Sequence, residues 1–389
     1  MHTVPDRRSG RRTLWIAVLG FVALGMPKAA FGVAWPSVSD ELGVPVGMLG
    51  LVIGVFVGAY LVSTATSGAA ATSLGTGRLL TVAVWVASVA LAGYAATPTI
   101  GLLLGAAAML GFASGYFDAG INTHVALRHG SRAMGAIHAG YGIGATLGPL
   151  LMTGLLNADR SWRWCFWLLA AFQVVVAVLF VSNEDGWTSS PPRQDTGRRR
   201  LPPVAWWAVL VFALYAAVEI GLGQWAFTLL TEGRNMSDSV GGLAVTGLYG
   251  GMTATRLLLG GYGHRLRPVA LSTAGTVVAL AGVAALWWAP TGWIAVAATV
   301  VTGFALGPIF PLQMMLTPRR VGAAGTATLV GYQIAAASLG AIAVPGAIGL
   351  LVDRYEVAVI APALTAAATL LVVADLMLRR AGDRATASS

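Results

Sequence analysis

The chain has 389 residues, 57% of them hydrophobic and only 10% charged, with a mean hydropathy of +0.76. A water-soluble domain carries about 25% charged residues, so a soluble globular protein is excluded. The net charge of +9 would suggest nucleic acid in a soluble chain; here it reads as the arginine excess that membrane proteins keep on the cytoplasmic side.

In chain order, Met1 to Arg12 carries four arginines, and the apolar run that follows continues to Val38 with Pro27 and Lys28 inside it. A cleaved signal peptide has a shorter apolar core and a small-residue cleavage site, so a retained first span is expected. Apolar runs occupy 13–37, 46–66, 79–96, 100–126, 135–156, 163–182, 203–230, 239–259, 269–289, 292–316, 323–351 and 356–378. Short polar or Gly/Pro breaks separate them. Twelve spans of about 20–23 residues would use roughly 240–280 positions, which leaves no room for a soluble enzyme domain. The longest polar stretch, 183–202, opens NEDGWTSSPPRQDTGRRR and reads as a flexible linker. The expected organisation is an all-α membrane protein with a six-helix half at 1–182, a cytoplasmic linker at 183–202 and a second six-helix half at 203–389.

Of the 24 basic residues, 18 fall on one side of this layout and four (Arg160, Arg163, Arg234 and Arg354) on the other, while Lys28 and Arg256 lie within spans. That asymmetry makes the first side cytoplasmic and, with an even span count, places both termini there. The single cysteine, Cys165, excludes an intramolecular disulfide and a cysteine-based metal site. There is no phosphate loop and no H-E-x-x-H motif, so neither metal nor cofactor is expected. The preference for Arg over Lys and for Ala, Gly and Val points to a GC-rich bacterial source, hence the cytoplasmic membrane.

The halves repeat. Gly111-Phe112-Ala113-Ser114-Gly115 matches Gly303-Phe304-Ala305-Leu306-Gly307, and Gly68 matches Gly260, at an offset of 192. Gly140-Tyr141-Gly142-Ile143 matches Gly331-Tyr332-Gln333-Ile334, and Arg128 matches Arg319, at 191. Two repeated six-span halves are the architecture of many secondary transporters, with the substrate site at the repeat interface.

Length, twelve spans, central linker and repeat resemble the major facilitator superfamily. The superfamily's loop between spans two and three reads roughly G-x-x-x-D-R-x-G-R; here it runs from Gly68 to Arg78, with Thr72 where the acid stands. The second copy offers Arg256, Gly260 and Arg265, and Ser161-Trp162-Arg163-Trp164 entering span six is also typical. Several pieces resemble the fucose–galactose–gluconate:proton symporter-like group: Gly32-Val33-Ala34-Trp35-Pro36, Asp118-Ala119-Gly120-Ile121-Asn122, Glu219 to Trp225, and Gly307-Pro308-Ile309-Phe310-Pro311. The resemblance implies a proton-coupled solute carrier with the span-four acid as proton site, and a cavity lined by spans one, four, seven and ten.

A charge at the bilayer centre costs about 2.5–3.5 kcal/mol and persists when paired, hydrated or functional. Three such charges stand out: Lys28, the only lysine, with Asp118 and Glu219. At 1.5 Å per residue they lie about 24, 15 and 28 Å from the nearest cytoplasmic arginine before or after them. Lys28 and Glu219 are repeat mates and each precedes a glycine by four residues. They are expected to approach each other, or to share a bridging water or substrate group, in at least one state; the competing arrangement pairs Lys28 with Asp118. The unpaired acid is then the proton carrier, Asp118 or Glu219. Arg256 and Asp375 read as residues near the cytoplasmic ends of their spans, Asp375 as solvated.

Candidate substrate-binding residues are Lys28, Trp35, Asn122, His138, Tyr141, Gln224, Trp225, Gln313, Tyr332 and Gln333. Aromatic rings with amides suit a sugar-like ligand, whereas Lys28 suits an organic acid. Gly140, Gly144 and Gly148-Pro149 form a small-residue stripe mirrored by Gly340 and Pro345-Gly346. Drug antiporters of the superfamily carry further glycines after that proline, where this chain has Leu150-Leu151. The expected function is uptake of a small polar solute by proton symport; the alternative is proton-driven efflux of a drug or secondary metabolite. Expected partners are a small molecule, protons and the lipid bilayer, with no nucleic acid, and the expected state is a monomer.

Overall fold

The computed structural model describes residues 7–187, 201–262 and 267–387. Among these residues all regular structure is helical, as a hydrocarbon environment requires of a chain that must satisfy its backbone internally. The helices are α1 (Arg7–Leu42), α2 (Met48–Leu74), α3 (Thr76–Ala96), α4 (Ile100–Arg128), α5 (Gly130–Asn157) and α6 (Arg163–Val181). After the linker come α7 (Pro203–Thr231), α8 (Asp238–Tyr262), α9 (Pro268–Trp288), α10 (Gly292–Leu306), α11 (Ile309–Tyr355) and α12 (Ile360–Ala387).

Eleven segments of the described residues are long and apolar enough to cross a membrane. One of them, Gly292–Gly322, joins α10 to the first arm of α11 across the turn at Gly307-Pro308; α11 itself breaks at Gly322, where φ is +70°. The expected span at 239–259 corresponds to α8, which is absent from the eleven. Its Thr and Gly content, with Asp238 and Arg256, makes it the more polar helix. Helices also outrun the expected apolar borders: α1 extends past position 37 to Leu42.

The chain forms two compact units, Met1–Val44 with Val55–Arg193, and Pro45–Gly54 with Gln194–Ser389. Within the first, α1 packs on α5 and α6, and α3 on α4 and α6. Within the second, α7 packs on α11 and α12, and α9 on α10 and α12. The neighbours are the same six places on. Capping repeats too: the Thr99 side chain accepts from Leu102 N–H at the start of α4, and Thr291 accepts from Ile294 N–H at the start of α10. The carbonyls that end α3 and α9 each receive an arginine, Arg163 on Ala95 and Arg234 on Leu286, Trp287 and Ala289. A cation at a helix C-terminus is favoured there by the helix dipole.

Glycine contacts set the register. A Cβ on Gly111 would strike the Phe56 carbonyl, and one on Gly303 the Leu248 carbonyl. Gly115 stands likewise against Tyr60, and Gly307 against Met252. Every one of these pairs is related by 192, so the Gly-Phe-Ala-x-Gly segments hold equivalent positions. The other sequence match does not survive. Gly140 lies against the Val18 carbonyl, whereas a Cβ on Gly331 would meet nothing within 4 Å. The packing mate of Gly144, which abuts Val22 on α1, is Gly340, which abuts Ala213 on α7. The helices α5 and α11 are therefore related by 196, an offset that Pro149 and Pro345 share.

The start of the expected linker is folded. Residues Glu184–Trp187 make a 3-10 turn, and Trp187, 1% exposed, stacks on Phe180 at 4.7 Å and meets His124 edge-on at 5.1 Å. Nearby, Asn183 Nδ2 donates to Thr13 Oγ1 at 3.0 Å. Residues 188–200 lie outside the described residues.

Candidate functional site

In the first unit, Gly111 and Gly115 bring α4 to within backbone contact of α2. That approach puts Asp118, three residues past Gly115, beside Tyr60. The Tyr60 hydroxyl donates to Asp118 Oδ2, and Asn122 Nδ2 donates to Asp118 Oδ1 at 2.9 Å. The i,i+4 spacing on one helix face fixes the second bond, and the same Nδ2 also reaches the Asp118 carbonyl at 2.9 Å. Both carboxylate oxygens thus have a donor.

Lys28, half-buried on α1, faces three aromatic rings. Its Nζ lies 5.3 Å from the Phe56 centroid, 4.9 Å from Tyr60 and 5.7 Å from Tyr141. Attraction to a ring face is worth about 0.5–2 kcal/mol per ring, most where water is excluded. Tyr60 is common to both charges: its ring faces the ammonium and its hydroxyl holds the carboxylate. His138, one turn before Tyr141, is exposed and meets Phe21 edge-on at 5.6 Å.

In the second unit the cation beside Glu219 is Arg256, with Nη2 3.5 Å from Oε1. Arg256 also donates to Tyr215 OH at 3.1 Å and to the Gly307 carbonyl at 3.3 Å. The close approach of α8 and α10 at Gly303 and Gly307 brings that carbonyl within reach. Arg256, near the end of α8, is thus an ion-pair partner of Glu219 inside the second unit.

A second polar cluster joins α9, α11 and α12. Gln313 Nε2 donates to Ser272 Oγ at 2.9 Å and to Asp375 Oδ1 at 2.8 Å, while Gln313 Oε1 accepts from Arg320. Thr273 donates to Asp375 Oδ2. The Gln313 amide is saturated and has no hydrogen left for a solute. Asp375 is 1% exposed; the expectation of a solvated residue is corrected, because four polar groups close over it before the helix end. Thr317 Oγ1 donates to Gln333 Oε1 at 3.1 Å.

The remaining candidates scatter. Trp35 is buried among core aromatics, 5.6 Å from Phe31, and Trp225 donates to the Pro345 carbonyl at 3.3 Å. Gln224 is buried on α7, and Tyr332 is exposed, 5.5 Å from Trp206. Of the loop-motif residues, Gly68 is exposed, Arg78 pairs with Glu184 at 3.6 Å, and Gly260 is in the last turn of α8. Arg265 lies outside the described residues. The structure therefore gathers Lys28, Asp118, Asn122 and Tyr141 into one site and adds Tyr60 and Phe56, which sequence reasoning missed. The available signal was a tyrosine in mid-span, away from the interfacial belt where aromatics collect.

The Major Facilitator Superfamily profile matches residues 17–345. No curated protein matches the chain in sequence. Among solved structures, a bacterial homologue of the human lysosomal transporter Spinster, inward-facing and occupied, shares 17% identity over 98% of this chain and 96% of its own, with a TM-score of 0.72. The human organic anion transporter MFSD10 (TETRAN) shares 16% over 97% and 100%, TM-score 0.68. The nucleoside transporter NupG shares 13% over 94% and 99%, TM-score 0.73.

Proposed function

The chain belongs to the Major Facilitator Superfamily, and from that premise we propose that it is a proton-coupled symporter for a small polar solute, sugar-like or an organic acid, working by alternating access. The family makes it a multi-pass membrane transporter; proton coupling and solute class are our reading. The observation that carries it is Asp118. An acid within a membrane-spanning helix is a functional site by default, and this one is held by Tyr60 and Asn122 without a direct arginine partner among the hydrogen bonds that fix it. Two neutral donors hold the carboxylate in place for that role. The neighbourhood of Lys28 supports a solute with polar or acidic groups. The arginine asymmetry supports a cytoplasmic location of the termini and linker, in the cytoplasmic membrane of a bacterium, and the resemblance of spans one, four, seven and ten to the symporter-like group supports uptake.

The test is transport in proteoliposomes under an imposed proton gradient, with labelled hexoses and sugar acids. Asp118→Asn should lose accumulation against a gradient and retain counterflow, since the amide keeps the shape but carries no proton. Full gradient-driven accumulation by Asp118→Asn overturns the reading, and solute leaving with protons entering replaces symport by efflux.

A further inference from the structure

The first unit holds a polar site apart from its ion pairs and from the surroundings of Asp118. A cavity of about 10 Å³ lies inside it, bordered by Ala23 and Pro27 of α1, Leu91 of α3, Ser114 and Phe117 of α4 and Gln173 of α6. We propose that this cavity binds one water molecule, which Gln173 and Ser114 hold against the break that Pro27 makes in α1.

Gln173 stands at the middle of α6 and is 7% exposed. Its amide offers donors and an acceptor, and it has no hydrogen-bond partner among the described residues. At that depth bulk water is absent, and a buried polar group left unmatched is costly. Ser114, also buried, is in the same position. Serine and threonine hydroxyls in helices commonly return to a carbonyl three or four residues back, as those of Ser63, Thr64 and Ser88 do. The Ser114 hydroxyl makes no such bond among the described residues. Pro27 adds a third group. Proline has no N–H, so the Ala23 carbonyl lacks the donor that a helix supplies four residues on. Ala23 and Pro27 both border the cavity.

Size and polarity agree on the occupant. One water needs roughly 10–15 Å³ and makes about three hydrogen bonds when buried. The Gln173 amide, the Ser114 hydroxyl and the freed Ala23 carbonyl supply three partners. None of the lining residues is charged, so an ion would sit there uncompensated. Ser114 is one helical turn before Asp118 on α4, and Pro27 immediately precedes Lys28 on α1. The water therefore ties together the stretches of two helices that carry these charges.

A buried water can be found by X-ray footprinting, in which a microsecond pulse converts it to hydroxyl radical that oxidises the side chains beside it. In the full chain in detergent micelles, Phe117 should be oxidised several-fold faster than Phe166 and Phe180, which are as deeply buried but lie outside the cavity. Gln173→Leu puts an apolar group in the same space and should cut Phe117 oxidation several-fold. Ser114→Ala should cut it less, and serves if the leucine variant fails to fold. Phe117 oxidised no faster than the two control rings overturns the water site. Oxidation unchanged in both variants overturns the assignment of Gln173 and Ser114 as its holders. The melting temperature adds a difference in sign. A dry amide is relieved by leucine, and the variant would melt higher. An amide that holds water takes the water with it and strands the Ala23 carbonyl, so Gln173→Leu should melt lower, by about 2 °C or more. An unchanged or raised melting temperature overturns the bridge.

Discussion

Glu219 on α7 has Arg256 of α8 at 3.5 Å, so the acid of the seventh helix is neutralised within its own unit. Removing one member of a largely buried pair strands the other, at about 3–5 kcal/mol. Arg256→Gln should lower thermal stability in detergent by that order. Glu219→Gln added to it should restore most of the loss, because the two amides leave no lone charge. Strictly additive losses in the double variant would show that the charges do not depend on one another.

The glycine register is open to a paired test. Gly340→Ala drives a methyl into the Ala213 carbonyl, whereas Gly331→Ala enters open space. The first should cost about 1–3 kcal/mol, as overpacking does. The second should stay within about 0.5 kcal/mol, the usual range for a surface change. Equal melting shifts for the two would return the repeat to the 191 offset.

Asp375 should prove a keystone of the second unit. Asp375→Ala leaves Thr273 and Gln313 without their acceptor, at about 1–3 kcal/mol for each stranded group. Asp375→Asn keeps one acceptor oxygen and should lose less. Melting temperatures of the three proteins, measured side by side, decide it; an alanine variant as stable as the parent would mean that water replaces the carboxylate freely.

Trp187→Ala should loosen the turn after α6. Truncating a buried tryptophan costs about 3–5 kcal/mol where the site cannot collapse, and here the loss falls on local docking. Limited proteolysis should cut within residues 182–187 faster in the variant. An unchanged cleavage rate there would show that the ring stack contributes nothing to holding the turn.

Much of this architecture was legible in the apolar runs, because a helix that crosses hydrocarbon must be long, apolar and self-satisfied. The Asp118–Asn122 bond was legible for the same local reason, a spacing of four. Tyr60 was not, since which helix faces Asp118 depends on how glycine contacts bring α2 and α4 together, and glycine announces a close approach without naming the partner. A position near the end of its span placed Asp375 in solvent; the groups that bury it come from α9 and α11, far off in sequence. The match of Gly140 with Gly331 failed because four identical or similar letters in a glycine-rich chain outweighed a shift in register.

That shift has a practical side. Equivalent residues stand 192 apart at Gly115 and Gly307 and 196 apart at Gly144 and Gly340, so this stretch of the second unit is four residues longer than its counterpart in the first. The interval contains Gly322, where α11 breaks and a Cβ would touch nothing. The contacts on either side keep their partners despite the extra length. The same elbow is therefore the natural place to graft a fluorescent reporter or an affinity epitope into the chain, since the fold already accommodates a difference in length within this interval.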